Sequence, residues 1–133
     1  MSKIIVNTEV MGPEFSELVL HELNYEWSRE VVTLAATDSP LPIGMVLMRD
    51  AGEYKPLTEV AEGEGESQTK KLGGDPVAVL IKASPASESA QSGVVIRRGA
   101  ILNGAALKFD AGVTTLQAEA KLALSDLGIV IKE

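Results

Sequence analysis

No cysteine occurs in the 133 residues. Disulfide scaffolds, thiol nucleophiles and Cys-ligated zinc or iron–sulfur centres are thereby excluded, and the redox compartment is left open. Aromatic residues make up only 4%, two Phe, two Tyr and one Trp, too few for a ladder on which bases or sugars could stack. Basic residues are outnumbered, 12 against 19 acidic, giving a net charge of -7 and a pI near 4.7. That balance opposes general affinity for nucleic acid or anionic membranes and favours a partner with a basic or apolar surface. Long hydrophobic runs are missing too. The most continuous, Val77-Ala78-Val79-Leu80-Ile81, falls far short of the roughly 20 residues that cross a bilayer, so no membrane role is expected. The N-terminus sets one lysine before the triplet Ile4-Ile5-Val6, too short an apolar stretch for a signal-peptide core, and export by that route is not expected.

What is present suits one domain: 45% hydrophobic and 23% charged residues over a length that buries roughly two-thirds of the unfolded surface without metals or cross-links. Residues 1–16 hold the triplet and then Met11-Gly12-Pro13-Glu14 without a sustained period, a pattern that predicts a loosely held arm ahead of a β-rich domain over 17–133. Short β-prone pieces follow at Leu18-Val19-Leu20, Glu30-Val31-Val32-Thr33-Leu34 and Met45-Val46-Leu47-Met48. Asp50-Ala51-Gly52-Glu53 predicts a turn, Tyr54-Lys55-Pro56-Leu57 an extended segment, and Val60 opens a long polar stretch whose acidic, glycine-rich part from Glu62 to Gln68 predicts a mobile loop running on to Gly74. Turn residues Leu72-Gly73-Gly74-Asp75-Pro76 then deliver the chain into residues 77–81, whose apolarity on both faces predicts a core strand. From Gly93 to Leu107 the pattern is of strands broken by glycines. Leu116, Ala120, Leu124 and Leu127 recur at helical spacing across 114–127, with Thr114 and Gln117 placed as a capping box and Gly128 as the stop. Ile129-Val130-Ile131 closes the chain as a strand.

Signatures of catalysis or cofactor binding are lacking. The single histidine, His21, sits in an alternating segment that predicts a surface strand, and no serine occupies a Gly-x-Ser-x-Gly elbow. There is no phosphate-cradling Gly-x-x-x-x-Gly-Lys, and the acidic loop lacks the Asp-rich start of an EF-hand, so neither nucleotide nor metal is expected, and no cofactor. Arg97-Arg98 offers two guanidinium forks, but neighbours on a strand point to opposite faces, which predicts one exposed arginine and one ion pair in place of a joint clamp. Tyr25 and Trp27 alternate in Asn24-Tyr25-Glu26-Trp27-Ser28, which on an extended segment puts both rings on one face, against the core or a partner.

Three ordered segments, His21-Glu22-Leu23-Asn24-Tyr25-Glu26-Trp27-Ser28-Arg29-Glu30-Val31-Val32-Thr33-Leu34, Leu41-Pro42-Ile43-Gly44-Met45-Val46-Leu47 and Gly52-Glu53-Tyr54-Lys55-Pro56-Leu57, resemble the phage lambda-type head decoration protein D family. The likeness continues through Ala78-Val79-Leu80-Ile81 and Gly93-Val94-Val95-Ile96-Arg97-Arg98-Gly99-Ala100 to the C-terminal helix and Leu127-Gly128-Ile129-Val130. The resemblance implies a mainly β fold of the β-clip type, a bent ribbon with one C-terminal helix, and a virion structural protein, not an enzyme. It implies homotrimers over threefold sites on the outer surface of the expanded capsid, synthesised in the host cytoplasm and stabilising the shell against packaged DNA. The arm would pair with the major capsid protein, and its isolated apolar residues Ile4, Ile5 and Val6 are the candidate contacts. Departures from the family pattern fall at Thr37-Asp38-Ser39-Pro40 and from Glu62 to Gly74, where that pattern has a shorter turn. The competing expectation is a small bacterial β-rich module that binds a ligand or partner through the 93–107 ribbon.

Overall fold

The computed structural model describes residues 15–63, 65 and 68–133; Ile4, Ile5 and Val6 lie outside them. In chain order the elements are a single helical turn α1 (Phe15–Leu18), β1 (Val19–Glu22), a second single turn α2 (Tyr25–Ser28), β2 (Arg29–Leu34), β3 (Val46–Asp50), β4 (Glu53–Pro56), β5 (Glu59–Glu62), β6 (Thr69–Leu72), β7 (Pro76–Leu80), β8 (Gln91–Ile96), β9 (Ala100–Asn103), a 3-10 turn (Gly104–Ala106), α3 (Gln117–Asp126) and β10 (Ile129–Lys132). The protein is mainly β, and α3 is the one helix longer than a single turn among the described residues.

Five strands close into a barrel in the order β2-β4-β3-β7-β8. Most of its seams are antiparallel, and closure is made by one parallel contact, Leu34 against Tyr54, with the Ala35 N–H donating to the Tyr54 carbonyl at 2.9 Å. β1, β9 and β10 form a separate three-stranded sheet, and β5 pairs with β6 as a two-stranded ribbon. Successive side chains of a strand point to opposite faces, and here the two faces serve two cores. Leu34, Leu47, Tyr54, Ala78, Leu80 and Val95 fill the barrel, one or two from each of its strands. The alternate residues Val46, Met48, Val79 and Ile96 face outward and pack with Leu102, Ala120, Leu124 and Ile129 from the second sheet and α3. The unbroken apolarity of residues 77–81 follows from this double duty.

Most of the expected elements form where the sequence places them. The turn at residues 50–53 has both central residues left-handed, Ala51 at φ 52° and Gly52 at φ 85°, the geometry that matches strand twist in a two-residue hairpin. Gly128, at φ 86°, ends α3, which lies between the last two strands. Residues 37–40, one of the family departures, are tied to the 84–87 connection by reciprocal bonds between Thr37 and Ser87.

Three expectations are corrected. The polar stretch opened by Val60 is a β-hairpin, β5 against β6, with Glu62 still paired to Thr69. Its residues are mostly exposed, so the ribbon has no apolar alternation to announce it. Tyr25 and Trp27 lie on a helical turn and not an extended segment, because the Asn24 side chain caps it by accepting from the Glu26 N–H at 2.9 Å. Both rings are exposed, outside either core. Thr114 and Gln117 form no capping box, since the residue at the helix cap is Leu116. The cap comes from β5: the Glu59 carboxylate accepts from the N–H and hydroxyl of Thr115 and from the N–H of Leu116, each at 3.0 Å.

Candidate interaction surface

Where β8 leaves the barrel, residues 97–99 turn toward β9, with Gly99 at φ 64° and a Cβ there lying 2.2 Å from the Trp27 ring. Only a residue without a side chain allows both the turn and the ring lying on it. Because this segment turns, Arg97 and Arg98 reach the same carboxylate, which corrects the expectation of divergent side chains. Arg97 Nη1 donates to Glu30 Oε1 at 3.3 Å and to the Tyr54 hydroxyl at 2.8 Å, while Arg98 Nη2 donates to Glu30 Oε2 at 2.6 Å and its Nη1 to the Trp27 carbonyl. The Arg98 hydrogen bond leads in holding Glu30 below the ordinary carboxylate pKa, against a smaller opposing effect of burial. A second network sits one residue away. Glu22 accepts a two-pronged contact from Arg29, Nε at 2.9 Å and Nη2 at 2.7 Å, and the hydroxyl of buried Ser28 at 2.6 Å, and the Arg29 hydrogen bond leads in lowering its pKa. The same guanidinium covers the Phe15 ring at 4.9 Å, which fastens α1 to the start of β2.

These networks frame an apolar face. On the outer side of the β1-β9-β10 sheet, His21, Ile101 and Val130 stand in cross-strand register. Beside them Leu23 is 70% exposed and Val130 48%. Together with the backbone of Gly99 and Gly128 they line an open groove of about 230 Å³. Val130 also walls a neighbouring depression between β10 and α3, lined by Ala118, Leu122 and Ile131 among others. Leu122, 70% exposed, rises from its rim.

His21 stands on the expected surface strand, and among the described residues no cluster of metal-ligating side chains gathers. The 93–107 ribbon is divided between the barrel, through β8, and the second sheet, through β9. Sequence reasoning missed the apolar face because its residues come from three strands that are distant in the chain, each contributing only one or two exposed side chains. The recurrent signal was glycine, at 99 and 128, where a floor without side chains was needed.

Comparison with curated proteins and with solved structures returns no match. The family model described as bacteriophage lambda head decoration protein D matches residues 8–129, nearly the whole chain. The chain belongs to the bacteriophage lambda head decoration protein D family, a structural class of the phage capsid and not a class of enzymes.

Proposed function

We propose that this protein decorates the phage head as a homotrimer with a β-clip fold. It binds threefold sites on the outer surface of the expanded shell and stabilises that shell against packaged DNA. The observation that carries this reading is the family match across residues 8–129. Residues 1–16 act as the arm that pairs with the major capsid protein through Ile4, Ile5 and Val6, a strand added to an exposed sheet edge. Two contacts support the arm's role: Phe15 packs against the core under Arg29, and the Asn103 amide donates to the Glu17 carbonyl at 3.1 Å, so the segment starts from a fixed point. Three linked arms raise the avidity of individually weak contacts, by on the order of 10²-fold or more. A protein that binds only the expanded shell stabilises it by mass action.

Co-sedimentation with expanded, undecorated shells tests the proposal, comparing the full chain, a form beginning at Glu17, and a variant with Ile4, Ile5 and Val6 all replaced by Asp. Saturable binding of one trimer per threefold site by the full chain, lost in both altered forms, is the expected result. Equal binding by all three overturns the arm. Absence of binding by the full chain overturns decoration.

A further inference from the structure

The exposed apolar face has an acidic counterpart next to it. On α3, Leu122 is flanked by Glu119 three residues before and Asp126 four residues after, the spacings that place side chains together on a helix surface. Both carboxylates are exposed and have no partner in their own chain among the described residues. The groove has the opposite character. Lys132 follows Val130 by two residues on the same face of β10, and it too lacks a partner among the described residues. The carboxylates at the margin of the face are already engaged: Glu22 with Arg29 at 2.7 Å, Glu30 with Arg98 at 2.6 Å and Glu133 with Lys121 at 3.1 Å.

An apolar knob with acidic flanks therefore stands beside an apolar groove with a cationic edge, on a chain of net charge -7. A basic partner would find better sites over the rest of this acidic surface. The groove suits an apolar side chain carried between carboxylates, and another copy of this chain supplies one. In a trimer each copy gives its knob to one neighbour and its groove to the other, a heterologous contact that closes into a ring when the rotation between copies allows.

Resting on the trimeric reading above, we propose that the copies of the trimer meet through this face, Leu122 of one copy entering the groove of the next, formed by Leu23, Ile101 and Val130. Glu119 and Asp126 of the first copy then lie against Lys132 of the second. The complementary charges set the register of the contact, and burial of Leu122 supplies most of its strength.

Sedimentation velocity of the full chain across a concentration series tests this. The wild type is expected at three times 14.0 kDa. Leu122→Ser is expected to weaken association by roughly tenfold to a hundredfold per contact, the equivalent of exposing one leucine. The control Val31→Ser, at a residue 73% exposed on the barrel strand β2, leaves it unchanged. Charge reversal gives a second measure that folding defects do not imitate: Lys132→Glu and Asp126→Lys each weaken the trimer, and the double variant recovers it. A Leu122→Ser protein that associates like the wild type, or a double variant no better than either single one, overturns the assignment of this face and leaves decoration standing. A wild-type chain that remains at 14.0 kDa throughout overturns the trimeric reading and this inference with it.

Discussion

Gly44 shows how one backbone position ties the two cores together. Its N–H donates to the Leu80 carbonyl and its own carbonyl accepts from the Lys108 N–H, both at 2.8 Å, while its φ is 97°. A Cβ here would lie 2.3 Å from the Ala106 carbonyl oxygen, a backbone atom held by the 3-10 turn. Strain and overlap add, so Gly44→Ala is expected to cost about 3 kcal/mol or more, read as a lowered urea midpoint. Ala51 is the converse case, a side chain standing where the left-handed turn suits asparagine. Replacing it by Asn is expected to stabilise the protein by up to about 1 kcal/mol, measured as a rise in Tm. At Glu30 the same scale explains the arginine pair: one carboxylate pairs with two guanidinium groups that the chain brings round on a turn.

At the scale of elements, α3 and the β5-β6 ribbon depend on each other. The ribbon is a two-stranded hairpin, a unit with little stability by itself in water. Glu59 anchors it, its side chain wholly buried against Thr115 and Leu116, with Lys70 at 3.4 Å. Burial alone would raise the pKa of this carboxyl, and the donors from Thr115, Leu116 and Lys70 outweigh it, so the group is held below the ordinary value. Two of these donors are the backbone N–H of Leu116, the residue at the cap of α3, and of Thr115 just before it, so the carboxylate holds the chain where the helix begins. Glu59→Gln keeps the shape and removes the charge. Its expected outcome is faster amide exchange at Thr115 and Leu116 and along β5 and β6, with the barrel strands unchanged; uniform exchange across all of these would count against a local latch.

For the whole molecule, paired carboxylates decide the response to acid. Glu22 and Glu30 have pKa values lowered from 4.5 by their arginine partners. A depressed folded-state pKa means that the unfolded chain binds protons first as the pH falls. Their stabilisation is therefore present above about pH 4.5 and lost as the pH drops through the lower folded values. Urea midpoints measured from pH 7 to pH 3 are expected to fall below that point, and Glu22→Gln to flatten the decline. An equally steep decline in the variant would show that other carboxylates govern it. Assembly reaches the same networks, since Glu22 and Glu30 border the face proposed to join copies.

Much of this architecture is legible in the residues themselves. β-branched runs at 30–34 and 77–81, the turn at 50–53 and the 3.6-residue spacing through Ala120 and Leu124 are local signals, and each produced its element. Their order also carries the family likeness. The sequence by itself thus determined these elements and the class of protein, because backbone preference and hydrophobic period act over a few neighbouring residues. Tertiary structure alone decided that residues 77–81 serve two cores, that Glu59 caps a helix more than fifty residues away, that Arg97 and Arg98 share Glu30, and that Leu23, Ile101 and Val130 form one face. Each is a meeting of residues remote in the chain. Such meetings are fixed by strand pairing and barrel closure, which no local pattern encodes.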